Sequence, residues 1–235
     1  MFVRASSGSG RDVNKLAILD AAQRAHLPYT HIDVGWLYHN IIPALPSGRT
    51  ADRVIPNIND RIPGDGSTRV ALTCLDDVGL YVAHIIADPR TLNRKVLAYT
   101  EVMSMNETCA IMEEVSGEKV EKVYKLPAFQ VTADELAVIT DMARQKLCED
   151  PTDFMANGAL IITEYLVSWG VRGDNTPETA TYLGFLDFKE LYPGICGQSL
   201  KSFFGDVLQG KATNPFQARH FYEDVLEGKV ENPFK

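Results

Sequence analysis

Gly8 and Gly10 stand between a short run, Phe2-Val3-Arg4-Ala5-Ser6, and a helical stretch, and Asp33 follows 25 residues after Gly8. After a strand and before a helix, that spacing starts a dinucleotide fingerprint. The glycines let the backbone approach a pyrophosphate at a helix N-terminus, and the acid takes a ribose hydroxyl. The pattern then breaks. The third glycine belongs at position 13, where Val13 stands, and a valine there spoils the close helix–strand contact that glycine allows. Arg4 and Ser6 also make the first run too polar for a strand buried on both faces. What survives is the general attraction of helix N-terminal amides for anions.

The other chemistry-bearing residues read as structural. Asp76-Asp77 would serve as paired acids or metal ligands in one reading, and as N-cap and first-turn acids of the helix from Val78 to Ala87 in the favoured one. His26, His31, His39, His84 and His220 contain no i, i+4 zinc pair, and Cys74, Cys109, Cys148 and Cys196 form no Cys-x-x-Cys pair. No metal site is expected. The cysteines read as free thiols in a reducing compartment, packed as small hydrophobes.

The elements that must hold these residues follow from patterning. Asp12 caps an expected helix to about Ala25, with Val13, Leu16, Ala17, Leu19 and Ala21 inward. Tyr29 to Val34 is a β-branched and aromatic strand, so strand–helix–strand within about 33 residues makes a βαβ unit and a parallel sheet. A Pro/Gly/Arg/Asp-rich stretch, 43–67, is long enough for a functional loop or a small hairpin. Further strands are expected at Val70–Leu75, Val96–Tyr99 and Val120–Tyr124, and helices at Thr132–Cys148 and Phe154–Trp169. Ser104 and Glu107 form a capping box, and Gly117 closes that helix.

The tail repeats itself at an 18-residue offset. Asp206 to Lys211 and Asp224 to Lys229 each precede an Asn-Pro-Phe turn. Two copies make no solenoid, so they read as glycine-closed helix ends followed by proline turns. Asn-Pro-Phe is also a docking motif for adaptor domains.

Hydrophobic residues make up 45% of the 235, enough for a sizeable core, and the net charge of −8 disfavours nucleic acid or an anionic membrane as partner. With no apolar run of membrane length and no signal-peptide pattern, the expected location is the cytoplasm.

Beyond these readings lies a resemblance. Lys15, then Ala25-His26-Leu27-Pro28-Tyr29-Thr30, then Gly35-Trp36-Leu37 is similar to a segment of the NmrA-like and isoflavone-reductase-like family, atypical short-chain dehydrogenases. The likeness continues in order through Gly64-Asp65-Gly66, Asp76-Asp77-Val78-Gly79, Asp88 to Asn93, Ser104 to Glu107, Gly117 to Val120, Gly173-Asp174 and Leu191-Tyr192-Pro193. It covers about residues 2 to 210.

The resemblance implies an α/β fold, a partial Rossmann-like parallel sheet with a smaller, mostly helical C-terminal substrate or cap region. The run at residues 2–6 then stands for the fifth strand of the family's sheet, and the nucleotide-binding front half has no counterpart. Residues 1–100 become the C-terminal half of an NAD(P)-binding domain, 101–210 the cap region interleaved with it, and 211–235 a tail. Lys15 matches the family's catalytic lysine, which binds the nicotinamide ribose and assists proton transfer; a partly desolvated lysine has the lowered pKa that such work needs. The short-chain dehydrogenase tyrosine is replaced by Arg11, as is common in this family.

Ser6, Ser7, Gly35, Trp36 and Leu37 join Lys15 as expected cofactor contacts. The alternatives are a simple turn for the serines and ordinary core for Trp36. His39 lies just beyond and faces substrate, or else is a core or surface residue. The implied activity is an NADP(H)-dependent reductase acting on a small, aromatic secondary-metabolite substrate. The other readings are a non-catalytic nucleotide sensor and a homodimer in which a second copy covers the open sheet edge.

Overall fold

The structure, a computed structural model, describes residues 10–51, 62, 64–121 and 133–212. The expected first strand, most of the strand at Val120–Tyr124, the second tail repeat and the Asn-Pro-Phe turns lie outside the described residues.

Helix α1 (Gly10–Arg24) leads into strand β1 (Thr30–Asp33), and the two-residue β2 (Trp36–Leu37) follows at once. A 3₁₀ turn, Tyr38–Ile41, carries the chain away. Then come β3 (Arg69–Thr73), α2 (Val78–Ile86), β4 (Arg94–Leu97), β5 (Glu101–Ser104) and α3 (Met105–Ser116). The remainder is mostly helical: α4 (Ala133–Glu149), α5 (Phe154–Tyr165), α6 (Pro177–Tyr182), β6 (Phe185–Asp187), α7 (Phe188–Leu191) and α8 (Leu200–Leu208).

Among the described residues the strands make two three-stranded sheets. The order β1-β4-β6 is all parallel, with Ile32 opposite Val96 and Val96 opposite Leu186. The order β2-β3-β5 is mixed: β2 runs parallel to β3, with Trp36 opposite Leu72, and β5 runs antiparallel. The parallel sheet agrees with the α/β reading, whereas the first strand of the expected βαβ unit, residues 2–6, lies outside the described residues.

Each sheet has its own core. Against the parallel sheet, Tyr81 and Ile85 of α2 and Phe188 of α7 bury Val96 and Ala98. Against the mixed sheet, Met105, Cys109 and Met112 of α3 and Leu200, Phe203 and Phe204 of α8 enclose Val70, Leu72 and Tyr38. Ala71, Leu97, Tyr99 and Ala180 form a smaller cluster.

Local signals behave as chemistry dictates at several points. The capping box is complete: the Glu107 amide donates to Ser104 Oγ at 3.2 Å, and the Ser104 amide donates to Glu107 Oε2 at 2.7 Å. Gly117 closes α3 in the left-handed region at φ 74°. The first tail repeat is a helix end, α8, with Gly210 left-handed after it.

Other expectations are corrected. Helix α1 starts at Gly10, which places Asp12 inside the first turn instead of at the cap. Its expected inward residues Ala17 and Ala21 are exposed and Leu19 is only half-buried. The helix expected to reach Trp169 changes character after Tyr165, and Leu166–Val171 is a π-helical turn. Cys74 and Cys109 are buried as expected, but Cys148 and Cys196 are exposed. No described helix is long and apolar enough to cross a membrane, and no metal-holding group of His, Cys, Asp or Glu occurs among the described residues.

Candidate functional site

Strand β1 ends at Asp33, a buried carboxylate whose Oδ1 accepts the Gly35 amide at 3.0 Å. This short bond folds the chain sharply between the two sheets. Gly35 has φ 68°, and a Cβ there would lie 2.6 Å from the Ala71 carbonyl oxygen. Both facts demand glycine. The Thr73 hydroxyl donates to the Val34 carbonyl and fixes the other side of the turn. The turn therefore sits at the carboxyl end of β1 and leads directly into β2.

Trp36 comes next. Its ring lies 5.3 Å from that of Trp169, tilted by 30°, and meets Tyr165 edge-on at 5.4 Å. Trp169 is 3% exposed, and neither indole N–H has a hydrogen-bond partner among the described residues. Leu37 completes β2 opposite Thr73.

Tyr38 is fully buried and donates to Glu101 Oε2 at 2.9 Å. Burial, and then the Glu101 charge, push its phenol far above the ordinary tyrosine range. The same Glu101 oxygen accepts the Leu200 amide at 2.8 Å, so one carboxylate ties this segment to the start of α8.

His39, 5% exposed, meets Phe203 of α8 edge-on at 4.8 Å. It lines a cleft together with Leu75, Asp76, Gln198, Asp206 and Lys211. Beside that cleft runs a polar chain. The Tyr81 and Thr100 hydroxyls pair at 2.9 Å, Thr100 Oγ1 reaches Asp77 Oδ2 at 3.4 Å, and Asp77 Oδ2 accepts the Gln198 amide at 2.8 Å. Gln198 Nε2 then donates to Asp206 at 2.7 Å. Asp77 thus makes no side-chain cap bond to α2, contrary to the cap reading; its acceptor oxygen is spent on a residue 121 positions away. Burial raises the thiol pKa of neighbouring Cys74, which keeps it protonated and unreactive.

Gly35, Trp36, Leu37 and His39 lie within five residues of one another, but Trp36 packs against Tyr165 and Trp169, whereas His39 packs against Phe203 and lines the cleft. Lys15 lies on α1, of which only the backbone is described at that position. Ser6 and Ser7 lie outside the described residues. Sequence reasoning missed Tyr38, Glu101, Trp169 and Asn175. Of these only Tyr38, adjacent to the singled-out turn, left a signal.

Asn175 bears on whether the site suits a nicotinamide group. It is 1% exposed, and its Nδ2 donates to the Ala71 carbonyl at 3.0 Å, the same oxygen that excludes a side chain at Gly35. Its Oδ1 is buried with no partner among the described residues. The close approach at Gly35 is made by the Ala71 carbonyl, and Asn175 holds that same oxygen, so the turn is locked by the chain's own backbone.

A parallel sheet with helices packed against it defines the class: a Rossmann-like α/β protein. The NmrA-like family matches residues 14–157, and the chain belongs to that family. It is 37% identical over 197 residues to the asnovolin J 5′,6′-dehydrogenase of Aspergillus novofumigatus, covering 83% of this chain and 58% of the relative. It is 29% identical over 136 residues to the bifunctional pinoresinol-lariciresinol reductase 3 of Thuja plicata, covering 56% and 43%.

Among solved structures, the fold superposes on one of the pinoresinol-lariciresinol and phenylcoumaran benzylic ether reductases with a TM-score of 0.61 at 21% identity, covering 83% of this chain and 57% of that one. It superposes on the NADPH complex of leucoanthocyanidin reductase from Vitis vinifera with a TM-score of 0.60 at 17% identity, again covering 83% and 57%. The chain spans about half the length of the curated relatives it matches.

Proposed function

We propose that this chain contributes the nicotinamide and substrate side of an NADPH-dependent reductase acting on a small aromatic natural product. The observation that carries the reading is the Gly35 turn: a left-handed glycine at the carboxyl end of a parallel strand, held by Asp33 and packed against Ala71, followed directly by aromatic and histidine side chains. The named relatives support the class, since one is an asnovolin J dehydrogenase and the other a pinoresinol-lariciresinol reductase. Titration of NADPH, followed by energy transfer from the two tryptophans, tests it. Saturable binding is expected, and none at millimolar NADPH would overturn it.

Within that reading the residues divide the work. When bound, NADPH supplies a hydride. Gly35 lets the chain turn tightly against Ala71 and so places Trp36 and Leu37 at the nicotinamide, and Ser6 and Ser7 contribute polar contacts. Lys15 orients the ribose and supplies or withdraws a proton, and His39 meets the substrate. Lys15→Ala should then abolish turnover while leaving NADPH affinity within a few-fold. Unchanged turnover would remove Lys15 from the mechanism. A purely nucleotide-sensing protein would instead bind NADPH and show no turnover of any reducible aromatic offered.

A further inference from the structure

Helix α2 has no polar face. Between Val78 and Ala87 only Tyr81 and His84 carry polar side-chain atoms, and neither faces outward: Tyr81 is buried and His84 is half-buried beside Tyr192. Tyr81 and Ile85 pack toward the parallel sheet. The other side carries Gly79, Leu80, Ala83, Ile86 and Ala87, all exposed, with Leu80 at 43% and Ile86 at 70%. A surface helix normally turns charge outward, as α3 does with Glu107 and Glu114. A helix that is apolar all round belongs between two partners.

The exposed residues are symmetric about Ala83. Leu80 and Ile86 stand three positions before and after it, and Gly79 and Ala87 four before and after. At about 100° per residue, all five fall within roughly a third of the helix circumference. A two-fold axis through Ala83, normal to that face, exchanges the paired positions. A second copy laid antiparallel therefore sets Leu80 against Ile86, Gly79 against Ala87, and Ala83 against its own counterpart.

The charges at the two ends follow the same symmetry. Exposed Asp76 stands seven positions before Ala83, and Arg90, 58% exposed, seven after it. Antiparallel packing brings the acidic end of each face to the basic end of the other and opposes the two helix dipoles. Arg90 is held in place: Nε and Nη2 donate to Asp88, and the Tyr192 ring lies 5.5 Å from the guanidinium carbon.

We infer that the exposed face of α2 is the contact surface for a second copy of this chain, packed antiparallel about a two-fold axis at Ala83. A residue order that matches itself when reversed is the mark of an isologous surface. This contact is separate from the edge of β1 and does not depend on nucleotide binding. A helix of nine residues is only about 14 Å long and covers less than a standard interface of about 800 Å² per partner, so the dimer is weak, with a Kd of about 10–100 µM.

Sedimentation equilibrium of the full chain, from about 1 to about 500 µM, tests the inference. The mean mass is expected to rise from the 26.0 kDa monomer toward twice that value. Ala83→Glu sets two like charges face to face on the axis and should raise Kd about tenfold or more; circular dichroism should stay unchanged, because glutamate is a good helix former. Asp76→Lys should raise Kd about fivefold at low salt, and the loss should shrink at about 0.5 M salt. Ile18→Ser, on α1, should leave Kd unchanged.

A mass of 26.0 kDa at every concentration would overturn the inference and leave the α2 face to another segment of this chain or to a protein of different sequence. Association that Ala83→Glu leaves intact, or that Ile18→Ser removes, would place the contact elsewhere and overturn it too. An Asp76→Lys chain that associates as before at low salt would overturn the antiparallel register. If Ala83→Glu does not fold, Asp76→Lys, at an exposed position outside the helix, still decides.

Discussion

The Gly35–His39 segment and helix α1 are neighbours in sequence and opposites in construction. The first is held from every side. Asp33 accepts the Gly35 amide, Ala71 closes on its Cα, Glu101 takes the Tyr38 hydroxyl, and Phe203 braces His39. The second, which bears Lys15, turns outward: Ile18 is 71% exposed, and Ala17 and Ala21 with it. A site that must orient a ring benefits from locked rotamers and backbone. A helix with apolar residues facing water holds its orientation by far fewer contacts. The contrast teaches that the Gly35–His39 segment is organised by the described part of this chain, whereas the placement of Lys15 depends on whatever meets α1.

The sharpest way to break this contrast is Gly35→Ala. The substitution places a Cβ 2.6 Å from a backbone oxygen, at a φ of 68° that alanine disfavours. Backbone cannot swing aside as a long side chain can, so a loss of about 3 kcal/mol or more is expected in urea unfolding. Gly117→Ala is the control. It is equally left-handed at φ 74°, but nothing lies within 4 Å of the added methyl. It should cost only about 1 kcal/mol. Equal costs would mean that the Gly35 turn is not sterically locked.

A smaller effect is expected from Tyr38→Phe. Removing the hydroxyl leaves Glu101 with the Leu200 amide alone and should cost about 1–2 kcal/mol near neutral pH. The sign with pH follows from the raised phenol pKa. Below the ordinary tyrosine pKa the phenol is protonated in both states and the stability it contributes is present. Above about 10 the unfolded chain gives up that proton while the folded chain keeps it, so stability falls as pH rises. Tyr81 and Tyr99 are raised in the same direction, chiefly by burial. Tyr38→Phe should therefore reduce the alkaline slope by about 1.4 kcal/mol per pH unit, one proton's worth. An unchanged slope would show that Tyr38 ionises as readily folded as unfolded.

What was legible in the sequence was local. The Ser104–Glu107 box, the Gly117 and Gly210 helix ends and the β-branched β1 all follow from bonds between residues a few positions apart. The left-handed glycine at position 35 belongs to this group as well, since its turn is closed by Asp33, two residues before it. What was not legible depends on partners far along the chain. The Asp76-Asp77 pair looks like a helix cap until Gln198 arrives to claim Asp77. Asn175 is an ordinary polar residue until Ala71, 104 positions away, orients its amide. Strand β5, with a charged residue and only four positions, exists because Leu72 and Val70 supply its ladder. The apolar pattern of α1 predicted a buried face, yet pattern alone specifies which residues would be buried, not what arrives to bury them.

That last point sets the smallest expected effect and the finest test of the comparison. Ile18→Ser exchanges a branched apolar side chain for a small polar one of similar helix propensity. Where most of the side chain already faces water, little apolar area is lost, so the change in stability should stay within about 0.5 kcal/mol. The same exchange at Ile41, 1% exposed within the mixed-sheet core, should cost several-fold more, about 3 kcal/mol. The ratio between the two measures how differently the regions are held. If Ile18→Ser instead costs more than about 1 kcal/mol, α1 is covered in solution by residues outside the described set or by a second copy of the chain, and sedimentation at varied concentration separates the two. Lys15 would then stand on a scaffold as firm as that of Gly35, and the contrast between the two regions would vanish.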